Sequence, residues 1–169
     1  MIDYYIDNYS TLFLDRDGVI NVKIKGYVID FSDFVFIKGV KQSLSQLNQI
    51  FNRIIIVTNQ QGIGKGLMHS DDLDLLHNKM CSEISKYGGN IDQIYYCPHL
   101  ADAACICRKP KPGMIYKAKN DFPDIDFKTS ILIGDSESDI QAAESAGIKS
   151  FKVSQEFTFT DWTNSFINR

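Results

Sequence analysis

Long hydrophobic runs are missing from this sequence, so it offers no candidate membrane span. Blocks of like charge are missing too. The formal net charge is −3, and without a basic stripe the chain is poorly suited to hold nucleic acid by general electrostatic attraction. The first residues, Met1 to Asp7, carry acid where a secretory signal would carry base and then a long apolar stretch. A cytoplasmic location is therefore expected. Internal repeats, linkers and low-complexity segments are also lacking. What is there is a chain of 169 residues, 44% hydrophobic, enough for one soluble domain that needs no disulfides. Its core is expected over residues 10–153, with 154–169 a polar and aromatic tail of no assigned structure. A monomer is expected.

Strand and helix signals alternate along the chain. Apolar runs at Thr11–Leu14, Arg53–Val57, Ile91–Tyr96, Ser130–Ile133 and Ile148–Val153 read as buried strands. Helical spacing marks residues 40–51, a helix opening at Ser70 as N-cap, one opening near Pro112, and one over residues 137–146 ended by Gly147. This alternation predicts an α/β fold with a mostly parallel sheet. Three of the runs end in polar clusters, at residues 15–18, 58–62 and 134–139. Ligand sites in such sheets lie beyond the carboxyl ends of the strands, so the clusters are expected to converge.

The first cluster, Asp15-Arg-Asp17-Gly18, sets two carboxylates close together. One carboxylate can attack phosphorus while the second protonates the leaving oxygen and then activates water. Mg²⁺ suits such a site, because carboxylate and phosphate oxygens are its usual ligands. Taken alone, D-x-D-G is more often a solvated acidic turn. The following clusters change that reading, because they supply the other parts in order. Thr58-Asn59-Gln60-Gln61 offers donors for phosphoryl oxygens. Arg108-Lys109-Pro110-Lys111-Pro112 offers cations on a loop stiffened by proline. Gly134-Asp135-Ser-Glu-Ser-Asp139 offers two further carboxylates. Gln61-Gly-Ile-Gly64-Lys65-Gly66 reads as a loop at the pocket rim.

Of the four cysteines, Cys81 reads as a small core residue. Cys97-Pro-His99 followed by Cys105-Ile-Cys107 gathers three thiols and an imidazole. In a reducing compartment this reads as metal binding before disulfides. A Cys₃His set is a closed, tetrahedral zinc site, so Zn²⁺ here is expected to be structural, shaping residues 97–109 and placing Arg108 and Lys109. His69 and His77 read as a loop residue and a helix-face residue without a catalytic role.

Leu14-Asp15-Arg-Asp17-Gly18-Val-Ile-Asn21, Thr58-Asn59, Lys109-Pro and Gly134-Asp135-x-x-x-Asp139 together resemble the four motifs of the haloacid dehalogenase (HAD) superfamily of phosphatases. The resemblance implies a Rossmann-like HAD fold without a large cap domain. It implies that Asp15 is the nucleophile and a Mg²⁺ ligand. Asp17 is then the general acid/base and gives the metal its backbone carbonyl, Thr58 holds the phosphoryl group, Lys109 offsets its charge, and Asp135 is a further Mg²⁺ ligand. Asp139 is expected to support the site from behind. Within the superfamily the chain is similar to two related groups, which act on heptose bisphosphate and on histidinol phosphate. The short cysteine loop is closer to the second group, whereas Gly26-Tyr-Val28 and Phe36-Ile-Lys-Gly-Val40 are closer to the first.

A bisphosphate needs cations for its unreacting phosphate, and an amine would call for acid. The rim segments hold Lys23, Lys25, Lys65 and Arg108, with Asp30 the single acid between Val19 and Phe31. This favours removal of the 7-phosphate of a heptose 1,7-bisphosphate, with Lys23, Lys25, Asn59, Gln60, Gln61 and Arg108 as substrate-binding residues and a small phosphorylated sugar as the partner. A zinc-binding module without activity and a nucleic-acid end phosphatase are the rival classes.

Overall fold

A computed structural model describes residues 9–168; the expectation for Met1 to Asp7 lies outside the described residues. Five strands form one sheet: β1 (Thr11–Leu14), β2 (Arg53–Asn59), β3 (Gln93–Cys97), β4 (Ser130–Gly134) and β5 (Lys149–Lys152). The strand order is β3-β2-β1-β4-β5, and every pairing is parallel. Among the described residues the α-helices are α1 (Val40–Leu47), α2 (Ser70–Ser85), α3 (Gly113–Asp121), α4 (Glu137–Ala146) and α5 (Phe159–Ile167). None is long and apolar enough to cross a membrane.

The continuous apolar character of β1, β2 and β4 follows from burial on both sheet faces. Alternate side chains serve opposite sides. Leu12, Leu14, Ile54, Ile56, Ile131 and Ile133 join one core with α1, α2 and α5. Phe13, Ile55, Val57 and Leu132 join a second core with α3 and α4. The sheet therefore lies between two helical layers.

Two expectations change. The N-cap of α2 is His69 rather than Ser70, and its backbone N–H donates to Asp72 Oδ2 (2.8 Å). The C-terminal segment is no loose tail. Thr158 and Asp161 form a capping box that starts α5, and Phe159, Trp162 and Phe166 at helical spacing enter the first core. Trp162 stacks on Phe166 with ring centroids 4.8 Å apart.

The chain runs outward from β1 through β2 to β3, then returns to place β4 on the other side of β1. The crevice at this reversal opens beyond the carboxyl ends of β1 and β4, where α/β sheets hold their ligands.

Candidate active site

Asp15 follows β1 directly, and its backbone N–H donates to Ile133 O on β4 (3.0 Å). The chain then turns tightly, with Ile20 N–H donating to Arg16 O (2.8 Å) and Gly18 N–H to Asn21 O (2.8 Å). Gly18 has φ +83°, and a Cβ there would overlap the carboxylate of Asp135. Gly134 likewise leaves no room for a Cβ beside Asp139. These two glycines let the first and last acidic clusters meet.

Lys109 is the buried hub. Its Nζ lies 2.9 Å from Asp15 Oδ1 and 2.6 Å from Asp139 Oδ1, and it donates to Val57 O (2.6 Å). Burial works against the ammonium, but Asp15 and Asp139 outweigh it and hold its pKa above the usual lysine value. Burial likewise pushes the Asp15 carboxyl up to about 7; Lys109 opposes this, and Asp139 and Asp17 add to it. Asp139 also feels burial, but Lys109 and Ser136 keep it below the ordinary carboxylate range. Its other oxygen, Oδ2, accepts from Ser136 N–H (3.0 Å) and Oγ (2.6 Å) at the start of α4. Asp139 thus positions Lys109 and caps a helix at once.

Asp17 is held differently. Its carboxylate accepts two bonds from Arg16 Nη2 (3.0 and 3.1 Å), one from Asn21 Nδ2 (2.9 Å) and one from Gln60 Nε2 (2.9 Å). Burial would raise its pKa, yet Arg16 and these amides bring it below the usual value. The ionised form, which can take a proton from water, is therefore favoured before any phosphate arrives.

The residues fit a hard divalent cation. Carboxylate oxygens of Asp15, Asp135 and Asp139 lie within 4.8 Å of one another. Asp135 Oδ1 is buried with no hydrogen-bond partner, a cost that a cation would relieve. Lys23 Nζ reaches the other oxygen of Asp135 (2.7 Å).

The sulfur set fits a softer ion. Cys97, His99, Cys105 and Cys107 also bring their ligand atoms within 4.8 Å of one another. Cys97 Sγ lies 3.7 Å from Cys105 Sγ and 3.4 Å from His99 Nδ1, whereas Cys107 Sγ lies closer in, 2.9 Å from Cys97 Sγ and 3.2 Å from His99 Nδ1, and would have to move outward around an ion. Tetrahedral zinc with Zn–S bonds of about 2.3 Å spaces two sulfurs by about 3.8 Å. Burial, together with Cys107, pushes the Cys97 thiol up to about 12, so ionisation there awaits a cation. Arg108 Nη1 donates to His99 O (3.3 Å), and Lys111 Nζ donates to Cys105 O, which ties the cysteine loop to the Arg108–Lys111 segment.

A cavity of about 260 Å³ opens over Asp15, Asp17 and Lys109. Lys23, Asn59, Gln60, Gln61 and Arg108 line it; Lys25 is exposed and does not. Thr58 is buried below the wall, with its hydroxyl accepting from Gln60 Nε2 (2.9 Å). Asn59 also anchors the lysine loop, because its side chain makes reciprocal bonds with the backbone N–H and C=O of Lys109 (both 3.1 Å). Tyr27, Ser136 and Ser138 also line the cavity and were not expected. Tyr27 OH accepts from Gln61 Nε2 (2.9 Å), and Lys65 Nζ sits 5.1 Å from the Tyr27 ring centroid. Arg16 and His77 are further departures. Arg16 is fully buried, and His77 turns inward from α2 to meet it (Arg16 Nη1 to His77 Nε2, 3.2 Å).

The family model described as polynucleotide kinase 3 phosphatase matches residues 11–165. A D-glycero-beta-D-manno-heptose-1,7-bisphosphate 7-phosphatase of Vibrio cholerae is 43% identical over 144 residues, covering 81% of this chain and 76% of its own. The D-glycero-alpha-D-manno-heptose-1,7-bisphosphate 7-phosphatase of Campylobacter jejuni is 45% identical over 139 residues, covering 82% and 78%. The chain belongs to the heptose-bisphosphate phosphatase family of the HAD superfamily. Among solved structures, a D,D-heptose 1,7-bisphosphate phosphatase from B. bronchiseptica, complexed with magnesium and phosphate, superposes on this phosphatase with a TM-score of 0.82. It is 32% identical and covers 92% of this chain and 86% of its own. A HAD-like phosphatase from Mesorhizobium loti gives a TM-score of 0.77 at 27% identity, covering 86% and 72%. The phosphatase thus shares its fold with these solved structures.

Proposed function

We propose that this chain removes the 7-phosphate of D-glycero-D-manno-heptose 1,7-bisphosphate, using Mg²⁺ and an aspartyl-phosphate at Asp15. The observation that carries the reading is the meeting of Asp15, Asp17 and Lys109 at one small polar cavity, with a carboxylate oxygen of Asp135 within 4.8 Å of one on Asp15. Asp15, Asp135 and the Asp17 carbonyl would hold Mg²⁺, which when bound neutralises charge on the phosphoryl oxygens and on Asp15.

The protein groups account for the proton and bond changes. Lys109 holds one Asp15 oxygen and fixes the carboxylate for attack. An Asp15 oxygen bonds to phosphorus as the sugar oxygen departs, taking a proton from Asp17. The bound dianion beside Asp17 offsets the pull of Arg16 and favours the protonated acid for this step. Asp17, now ionised, takes a proton from water. That water bonds to phosphorus, the acyl phosphate breaks, and Asp15 returns as a carboxylate. Gln60, Ser136 and Ser138 line the cavity with donors suited to the equatorial oxygens of the phosphoryl group, and Thr58 lies beneath them, its hydroxyl accepting from Gln60 Nε2.

Zn²⁺ would be structural, because four protein donors leave no open position. Its loop carries Arg108 to the rim, where Arg108, Lys23 and Lys65 supply positive charge for the unreacting phosphate. The relatives at 40–45% identity bear heptose-bisphosphate names, which favours that substrate over histidinol phosphate. The named relatives include both anomers.

Phosphate release from a substrate panel tests the reading. The expected result is a preference for one heptose bisphosphate anomer over histidinol phosphate, with all turnover lost in Asp15→Asn. Faster hydrolysis of histidinol phosphate, or of an oligonucleotide 3′-phosphate as the family model's description would suggest, refutes the substrate assignment.

A further inference from the structure

Arg16 stands between the two motif aspartates in sequence, yet its side chain is fully buried. A charged side chain is kept fully buried only with partners. Arg16 has three kinds of partner. One guanidinium nitrogen, Nη2, forks onto both oxygens of Asp17 (3.0 and 3.1 Å). The other, Nη1, meets His77 Nε2 (3.2 Å). The face of the group lies over the Phe34 ring, 5.9 Å from its centroid, and Phe34 is itself packed between Phe31 (5.4 Å) and Phe36 (4.9 Å).

His77 completes this arrangement from α2, an element that contributes no residue to the cavity wall. Burial, with Arg16 adjacent, pushes its pKa down to about 3. A neutral imidazole has one acceptor nitrogen, and the bond to Arg16 assigns that role to Nε2. Without this acceptor, Nη1 would join Nε as a second buried guanidinium donor without a partner. The guanidinium would then tilt to find one, and the fork on Asp17 would tilt with it.

We propose that His77 is a positioning residue that acts through Arg16, holding the plane of the Asp17 carboxyl group in line with the leaving oxygen. The proposal rests on the assignment of Asp17 as the proton donor. His77 touches neither substrate nor metal; its effect is confined to the quality of proton transfer.

Leaving-group dependence isolates that effect. A simple alkyl phosphate leaves as a strongly basic alkoxide and needs the proton, whereas 4-nitrophenyl phosphate leaves as a stable phenolate and hardly needs it. The value of kcat/KM reports steps up to departure of the leaving group, so later hydrolysis of the acyl phosphate does not enter. His77→Leu, assayed as the Mg²⁺-loaded full chain, is expected to lose about tenfold or more in kcat/KM on alkyl phosphates but less than about threefold on the nitrophenyl ester. His77→Gln presents a carbonyl oxygen to Arg16 and is expected to recover most of the loss. Arg16→Lys cannot fork onto both Asp17 oxygens and is expected to show the same selective loss, so the test survives if His77→Leu does not fold. Equal losses on both esters, or no loss in folded His77→Leu, or a Gln variant no better than Leu, overturn the proposal. Asp17→Asn is the separate control: if its loss is not selective for alkyl esters, the assignment of Asp17 fails on its own account.

Discussion

Replacing Lys109 with Met removes a buried ammonium and keeps much of the side-chain volume. Two carboxylates are then left facing each other, Asp15 and Asp139, with oxygens within 4.8 Å. At an effective dielectric constant of about 20, two unit charges at that distance repel by about 3 kcal/mol, and breaking a buried ion pair from one side typically costs about 3–5 kcal/mol. A loss of that size is expected in metal-free protein at about pH 8. The sign of its pH dependence follows from the carboxylates. Burial already raises Asp15 to about 7 in the presence of Lys109; loss of the cation raises Asp15 further and removes the main group that holds Asp139 down against its burial. Their folded pKa values then exceed the unfolded ones, so the penalty is absent below the unfolded values, grows as pH rises from the unfolded toward the folded values, and is complete above them. Urea denaturation of Lys109→Met without metal, at about pH 5 and about pH 8, should show less than half the loss at the lower value. Adding Asp139→Asn should return part of the stability at the higher pH and none of the activity. A loss under about 1 kcal/mol, or one that does not change with pH, would refute Lys109 as the electrostatic hub.

Three further outcomes follow from the same geometry. Because a metal must displace the proton that Asp15 holds up to about pH 7, apparent Mg²⁺ affinity by calorimetry should climb by up to about tenfold per pH unit below that point and level off above it. Stripping Zn²⁺ with a chelator should release protons on re-addition, read with a pH indicator, and should lower kcat by about tenfold or more through the links from Arg108 to His99 O and from Lys111 to Cys105 O. Trp162→Ala should cost about 3–5 kcal/mol by thermal or urea unfolding, whereas Trp162→Phe should cost less than about 1.5 kcal/mol, since the buried Trp162 Nε1 has no acceptor to lose.

Strand runs that stop at charge were legible because a buried parallel strand has little choice of residue until it emerges. That regularity located β1, β2 and β4 and the clusters that follow them. The cysteine loop was equally plain, because its donors are close in sequence and chemically distinctive. Arg16 was hidden for the opposite reason. Its neighbours in sequence are catalytic acids, and nothing local shows that its side chain folds under the turn toward α2. His77 lies with Leu73, Leu76, Met80 and Ile84 on the buried face of α2, a helical spacing visible in sequence, but the partner it meets there is fixed only by tertiary structure. Lys23 and Lys25 looked alike as rim cations; one reaches Asp135 and the other is exposed and does not line the cavity, a distinction that an irregular loop does not encode in any period. The last helix carried readable signals, a Thr-x-x-Asp start and aromatic residues spaced for one face, yet its short length made it resemble a tail.

Asp15 and Asp135 ride on the ends of neighbouring strands joined by hydrogen bonds, at the middle of the sheet. Lys109 comes instead from a loop anchored by Asn59 and by the cysteine cluster. The two halves of the site therefore have different mechanical footings. Sheet centres open last and loops open first, so rising denaturant should abolish turnover while the paired carboxylates still hold a cation. Titrating Mn²⁺ binding by its paramagnetic effect, alongside activity, would show metal retention outlasting catalysis. The enzyme would then pass through a state that is loaded but idle.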